Sequence, residues 1–295
     1  MVLFMQFLIG GISVGSIYAL LALGFVLIYK ACRVFNFAQG EFLMLGAYVV
    51  YALLVQLNLP LPIAILIGIA LALGFGFLLE RVTLRPLIGQ PVLSTIMMTL
   101  ALAIFLQGFT QALWGSTWRS YPKIFPTSVI RYGEFVISMQ FIYCFVLSMI
   151  FVAILVLFFK YTKQGLGMRA VAEDHSTSQA SGINVSLIFA LSWGISATVS
   201  VIGGFLLGSI MGLNPPILAS MGLKVFPIVL LGGLESLTGA IVGGFFMGVV
   251  ENMAIGYIDP LVGGGMADVF VYFMMLVVLI FKPYGLFGLV RIERI

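Results

Sequence analysis

The sequence predicts an all-α polytopic membrane protein with about eight to nine transmembrane elements, one of them a broken or re-entrant helix. Three observations lead there. The 295 residues are 62% hydrophobic and only 8% charged, whereas soluble domains carry about 25% charged residues. Mean hydropathy is +1.21, and a soluble fold exposing that much apolar surface would aggregate. Apolar runs of spanning length, roughly 20 residues each, recur along the chain, and their connections are too short for a separate soluble domain. Residues 1–295 therefore read as a single transmembrane domain.

The first span runs from Leu3 to Tyr29 and stops at Lys30 and Arg33. No Lys or Arg precedes it and no cleavage site with a polar mature chain follows, so a retained helix is expected. The second covers Asn36 to Leu57 and ends before Pro60 and Pro62. The third, Leu61 to Leu79, is closed by Glu80, Arg81 and Arg85, and the fourth covers Val92 to Trp114. A polar, aromatic loop from Gly115 to Glu134 precedes a fifth span from Ile137 to Phe159. The longest polar stretch, residues 160–184, leads to a sixth span, Val185 to Met211, which stops at Asn214, Pro215 and Pro216. Met221 to Leu234 is apolar but short. Leu237 to Val250 continues after Glu235 and Ser236, and Met266 to Phe281 is last.

Basic residues orient the spans. Alternation places Lys30, Arg33, Arg81, Arg85, Lys160, Lys163 and Arg169 on one side and Arg119, Lys123 and Arg131 on the other. The first side is expected to be cytoplasmic and the N-terminus outside. Lys282, Arg291 and Arg294 also fall inside if Met221–Leu234 crosses once; a re-entrant hairpin would put the C-terminus outside. The net charge of +4 is spread over span ends, which reads as topology and lipid-phosphate contact rather than nucleic-acid binding. Cys32 and Cys144 fall near opposite faces, so no disulfide is expected. His175 has no companion ligands for a metal.

Glycines recur at four-residue spacing: Gly11 with Gly15, Gly204 with Gly208 and Gly212, Gly239 with Gly243, and Gly244 with Gly248. Such spacing lets helix backbones approach closely in lipid.

Three constellations stand apart from packing. In Asn36-Phe37-Ala38-Gln39-Gly40-Glu41, Asn36 as N-cap and Gln39 three residues on form a capping box, and Glu41 suits a helix start. An ionisable group beside an apolar helix is equally a functional candidate. In Gly165-Leu166-Gly167-Met168-Arg169-Ala170, running on through Glu173, Asp174, Ala180 and Gly182, a short amphipathic helix is expected. Arg169 and Glu173 would share one face of it. A helix that short must dock on something, either a cytoplasmic partner or the lipid surface. The third, Gly232-Gly233-Leu234-Glu235-Ser236 with Gly239, Ala240, Gly243 and Gly244, reads as a broken helix exposing backbone groups to a substrate or as a plain turn between two spans.

The chain has no G-x-x-x-x-G-K-[ST] loop, no HExxH, no CxxC and no G-x-S-x-G, so neither that nucleotide-binding device nor a hydrolase nucleophile is present. An ion-coupled carrier using Glu41, Glu235 and Glu251 is the alternative of another class.

The runs Gly15-Ser16-Ile17-Tyr18-Ala19-Leu20, Asn36 to Glu41 and Gly46-Ala47-Tyr48 resemble the branched-chain amino-acid ABC permeases in their shorter, LivH-type form. So do Gly167-Met168-Arg169-Ala170 with Ala180 and Gly182-Ile183, and Leu231-Gly232-Gly233-Leu234 with Gly239-Ala240 and Gly243-Gly244. Gln39 stands where that family commonly carries His, and Glu235 where small residues are common. The resemblance implies an ABC importer permease fold in a bacterial inner membrane, importing leucine, isoleucine, valine or related small substrates. It implies a second, LivM-type permease, two cytoplasmic ATPase subunits that bind ATP and magnesium, and a periplasmic or lipid-anchored binding protein. Residues 165–182 then become the coupling segment. Asn36, Phe37, Gln39, Gly40, Glu41, Gly232, Gly233, Glu235, Gly239 and Gly243 become candidates for the translocation path.

Overall fold

The apolar runs fold as helices, and turn-forming residues end most of them. The computed structural model describes residues 2–87, 89–126, 128–132 and 135–288. Helix α1 (Val2–Cys32) closes at Arg33, whose φ of +57° is left-handed. Helix α2 (Gln39–Tyr51) continues as a π-helical turn over Ala52–Gln56. Helix α3 (Leu61–Leu79) starts at Pro60 and Pro62, where a missing N–H leaves no helical bond unmade. After α4 (Val92–Trp114), a hairpin pairs β1 (Val129–Tyr132) antiparallel with β2 (Phe135–Ser138), Ile130 opposite Ile137. Then come α5 (Met139–Tyr161), two short helices α6 (Lys163–Glu173) and α7 (His175–Ala180), and α8 (Val185–Met211). The chain ends with α9 (Pro215–Leu223), α10 (Val225–Gly232), α11 (Leu237–Tyr257), α12 (Asp259–Val262) and α13 (Met266–Phe281). Among the described residues, 8 helical segments are long and apolar enough to cross a membrane, with α9 and α10 together forming one of them, and α13 is a shorter apolar helix.

Four boundaries differ from expectation. Ile137 belongs to the hairpin, so α5 begins at Met139. Pro215 and Pro216 begin a helix instead of stopping one, because the Asn214 side chain accepts from the Ile217 N–H and caps it. The short seventh run is therefore a full crossing that starts before Met221. Its break lies at Lys224, not at Gly232–Gly233: Pro227 has no N–H and its ring excludes the carbonyl four residues earlier, so α9 ends at Leu223. The eighth span continues past Val250 to Tyr257, because Glu251 is paired inside the protein and does not have to end the helix. Arg291, Arg294 and Glu134 lie outside the described residues.

Glycine spacing sets the crossings. Gly11 and Gly15 of α1 meet Gly244 and Gly248 of α11 so closely that a Cβ on Gly248 would strike the Gly15 backbone. Gly76 of α3 meets Gly194 of α8 in the same way, and Gly204 of α8 seats against Leu43 and Ala47 of α2. The two long central spans, α1 and α8, run antiparallel and each receives a glycine-bearing neighbour. Buried side chains of α1, α2 and α8, including Tyr18, Phe25, Leu43, Tyr48 and Trp193, fill the core between them.

The bundle has two ends. One gathers Arg33, α6, α7, the α10–α11 turn and Gly288, which sits on Gly233. The other gathers the hairpin, the start of α1 and a backbone bridge between Arg119 and Leu213, with Tyr121 donating to the Ala47 carbonyl at 2.7 Å.

Candidate functional site: the end of the first span

Two of the three constellations, the α6–α7 segment and the Glu235 turn, meet around the end of α1. Arg33 is aimed by its left-handed backbone into the gap between the α10–α11 turn and α6. Its guanidinium pairs with Glu235 and donates to the Ala172 carbonyl at 3.0 Å. Lys30, one turn earlier, donates to the Glu235 carbonyl at 3.3 Å. His175, exposed at the start of α7, lies 3.0 Å from the Ala31 carbonyl through Nε2 and edge-on to Phe189. A cavity of about 200 Å³ opens beside them, lined by Cys32, Arg33, Phe35, Thr95 and His175.

Helices α6 and α7 dock on the bundle rather than on lipid alone. Gly165 lies against the Phe158 and Phe159 carbonyls and Gly167 against Ile188, while Met168 and Val171 are buried with Leu27, Ala31 and Phe159. Arg169 and Glu173 lie four apart on α6, as expected, but they form no ion pair. Its guanidinium turns back to the Phe159 and Lys160 carbonyls and stacks over the Phe159 ring. The last carbonyls of α5 have no helical donors, and a cation there also suits the helix dipole. Asp174 caps α7 instead: the Thr177 N–H and Ser176 hydroxyl hold its carboxyl down to about 2. The outward face of the pair carries Lys163, Glu173, Asp174, Ala180, Gly182 and Leu166, which is 59% exposed, while Ala170 is half-buried.

Gly232-Gly233-Leu234-Glu235-Ser236 is the turn, not the helix break. Gly232 and Gly239 touch backbone to backbone, Gly243 lies on the Ile228 carbonyl, and Ser236 caps α11 at Gly239. Carbonyls at the end of α10 are already taken: Leu286 and Phe287 donate to Leu231 and Gly232 at 2.7 and 3.0 Å. The Val229 carbonyl accepts from the Gly233 N–H and the Gly233 carbonyl from the Ser236 N–H, so these groups are taken within the turn as well.

The expected capping box at α2 is also absent. Ala38 is the N-cap, without a side-chain bond. Asn36 instead accepts from the Ala38 N–H and donates to Gln39 Oε1. Gln39 is fully buried and bonds Ser196 and Ser200 of α8, each at 2.9 Å. Gly40 is pressed against Gly222 of α9, and Phe37 stacks on Phe226 of α10, centroids 4.6 Å apart. Glu41 is buried, and its Oε2 has no partner among the described residues. Of the three carboxylates weighed for an ion-coupled carrier, Glu235 and Glu251 are each neutralised by a cation, which leaves Glu41 alone.

Sequence reasoning missed Arg33 as the meeting point and Lys224 altogether. Lys224 sits at the α9–α10 break, buried, with Glu251 and Asp268 as partners. Two signals marked it: a lysine inside an apolar run, and Pro227 three residues later.

An all-helical bundle with a broken crossing, close glycine contacts and buried charges at the break defines a multi-pass membrane transport protein. The profile of the family described as branched-chain amino acid transport system/permease component matches residues 7–279, and the chain belongs to that family. The high-affinity branched-chain amino acid transport permease LivH of Escherichia coli is 31% identical over 99% of this chain and 98% of its own. BraD of Pseudomonas aeruginosa is 32% identical over the same shares, and a probable LivH of Methanocaldococcus jannaschii is 29% identical over 95% of this chain and 91% of its own. A solved structure of PsaBC from Streptococcus pneumoniae, in complex with Fab, superposes with a TM-score of 0.50 at 17% identity, covering 96% of this chain and 93% of that one. The all-helical polytopic permease fold expected from the resemblance is the one observed.

Proposed function

We propose that this chain is the membrane-spanning permease subunit of an ATP-driven importer of branched-chain amino acids. Family membership over residues 7–279 supports the substrate class. The α6–α7 pair carries the rest of the reading: it is fastened to the bundle by Gly165, Gly167, Met168 and Val171, yet turns an apolar Leu166 and a row of charges outward. An exposed apolar residue ringed by polar groups is the pattern of a protein-docking surface. A cytoplasmic ATPase subunit is the partner that fits, because the sequence has no phosphate loop of its own. ATP and magnesium are then bound by two such subunits. A second, LivM-type permease completes the path, and a binding protein delivers substrate at the hairpin end. The membrane is the bacterial inner membrane, with the Arg33 end in the cytoplasm, as the excess of basic residues there favours.

Uptake of radiolabelled leucine tests this. Proteoliposomes holding the co-expressed complex should take up leucine only with ATP, and the chain alone should not respond to a proton or sodium gradient. Leu166→Glu should reach the membrane in normal amount and lose the co-purifying ATPase subunit. Gradient-driven uptake by the chain alone would overturn the reading in favour of a carrier built on Glu41.

A further inference from the structure

The crossing formed by α9 and α10 is interrupted at Lys224, so no continuous run of backbone hydrogen bonds fixes the angle between its halves. Each half packs on a different neighbour: α9 by Gly222, beside the joint, on Gly40 of α2, and α10 by Gly232, at its far end, on Gly239 of α11. Charged side chains gather at the joint itself. The Lys224 ammonium donates there to Glu251 of α11 and, at 2.6 Å, to Asp268 of α13. Tyr18 of α1 also reaches the joint, its hydroxyl 3.4 Å from Met221 Sδ.

The two arms are unequal. Lys224 and Glu251 side chains are each 4% exposed, whereas Asp268 is 65% exposed. Separating Lys224 from Glu251 would leave a buried carboxylate without its cation, which is strongly unfavourable. Separating Asp268 from Lys224 leaves Asp268 in contact with the surroundings it already meets, while Lys224 keeps Glu251. One anchor is therefore fixed and the other can let go. Apolar residues of similar volume would fill a membrane interior more stably than a charged cluster does, so stability alone gives no reason for these charges at a helix break.

We propose that Lys224 is a positioning residue of transport, an ionic latch that holds the α9–α10 bend to α11 through Glu251 and releasably to α13 through Asp268. The latch rests on the importer reading above. Opening of the Asp268 arm lets α13 move against the bend during each transport cycle, while the Glu251 arm keeps the broken crossing seated on α11.

Two variants of the ATPase-bearing complex decide it. Asp268→Asn weakens only the exposed arm. It should leave membrane amount and ATPase co-purification at the wild-type level and change leucine uptake by about tenfold, within the range typical of a coupling between sites. The pair Lys224→Met with Glu251→Met replaces the buried ions by apolar side chains. It should assemble normally yet transport about tenfold less than wild type, an effect of the same order. Wild-type uptake by Asp268→Asn would refute the releasable arm, and wild-type uptake by the apolar pair would reduce the cluster to structural packing. Should the apolar pair fail to reach the membrane, Asp268→Asn decides alone. A wild-type complex with no ATP-driven uptake would instead remove the importer reading, and the latch with it.

Discussion

Gln39 is enclosed by Asn36, Ser196 and Ser200, all fully buried polar residues. Replacing it by leucine keeps the volume but strips the Ser196 hydroxyl and the Asn36 amide of their partner. A buried polar group left unsatisfied costs about 1–3 kcal/mol, whereas removing both partners together is close to neutral. Gln39→Leu should therefore lower the unfolding midpoint of the purified protein in detergent, and adding Ser196→Ala should recover part of the loss. Additive losses would mean that the amide and the hydroxyl do not depend on each other. Residue identities alone placed Gln39 in a helix cap, because Asn followed three residues later by Gln fits that device. The partners that claim it instead lie on α8, 157 and 161 positions away, and no local pattern announces them.

At the scale of elements, the glycine pairs were legible and so was a broken helix, but not the place of its break. Gly11 with Gly15 and Gly244 with Gly248 show a spacing that means close approach in lipid, and they pack on each other. A valine at position 248 would meet the Gly15 backbone, which cannot withdraw without separating α1 from α11. Overpacking of this kind costs about 1–3 kcal/mol, so Gly248→Val should reduce the folded fraction recovered from membranes. Gly108→Ala is the control, since nothing lies within 4 Å of the added carbon, and it should behave as wild type. Equal recovery of both variants would show that this crossing tolerates separation. A glycine pair and a carboxylate favour a break at residues 232–236, but tertiary contacts from Leu286 and Phe287 close that stretch into a turn. Pro227 was the deciding residue, through the carbonyl it excludes at Leu223. Glu251 misled in the opposite direction: a charge ends an apolar run in sequence but not a helix whose partner, Lys224, arrives from another span.

For the whole molecule, the alternation of spans and the distribution of charge are tied together by the fold. Arg33, Arg169 and Gly288 share one end, and the hairpin with Arg119 shares the other. The sequence could assign these sides because basic residues cluster at alternate connections. It could not show that Arg33 joins α6 to the α10–α11 turn, since Glu235 is 202 positions away. Two exposed serines report on the ends: Ser128 precedes β1, and Ser176 lies in α7. Single cysteines at these positions, in a background lacking Cys32 and Cys144, should separate under a membrane-impermeant maleimide applied to spheroplasts. Ser128→Cys should react at once, and Ser176→Cys only after the membrane is opened. The reverse pattern would keep the fold and invert its orientation, placing the α6–α7 surface outside, where no ATPase could dock. Equal reaction of both in sealed spheroplasts would contradict the fold itself, because an odd number of crossings separates the two positions.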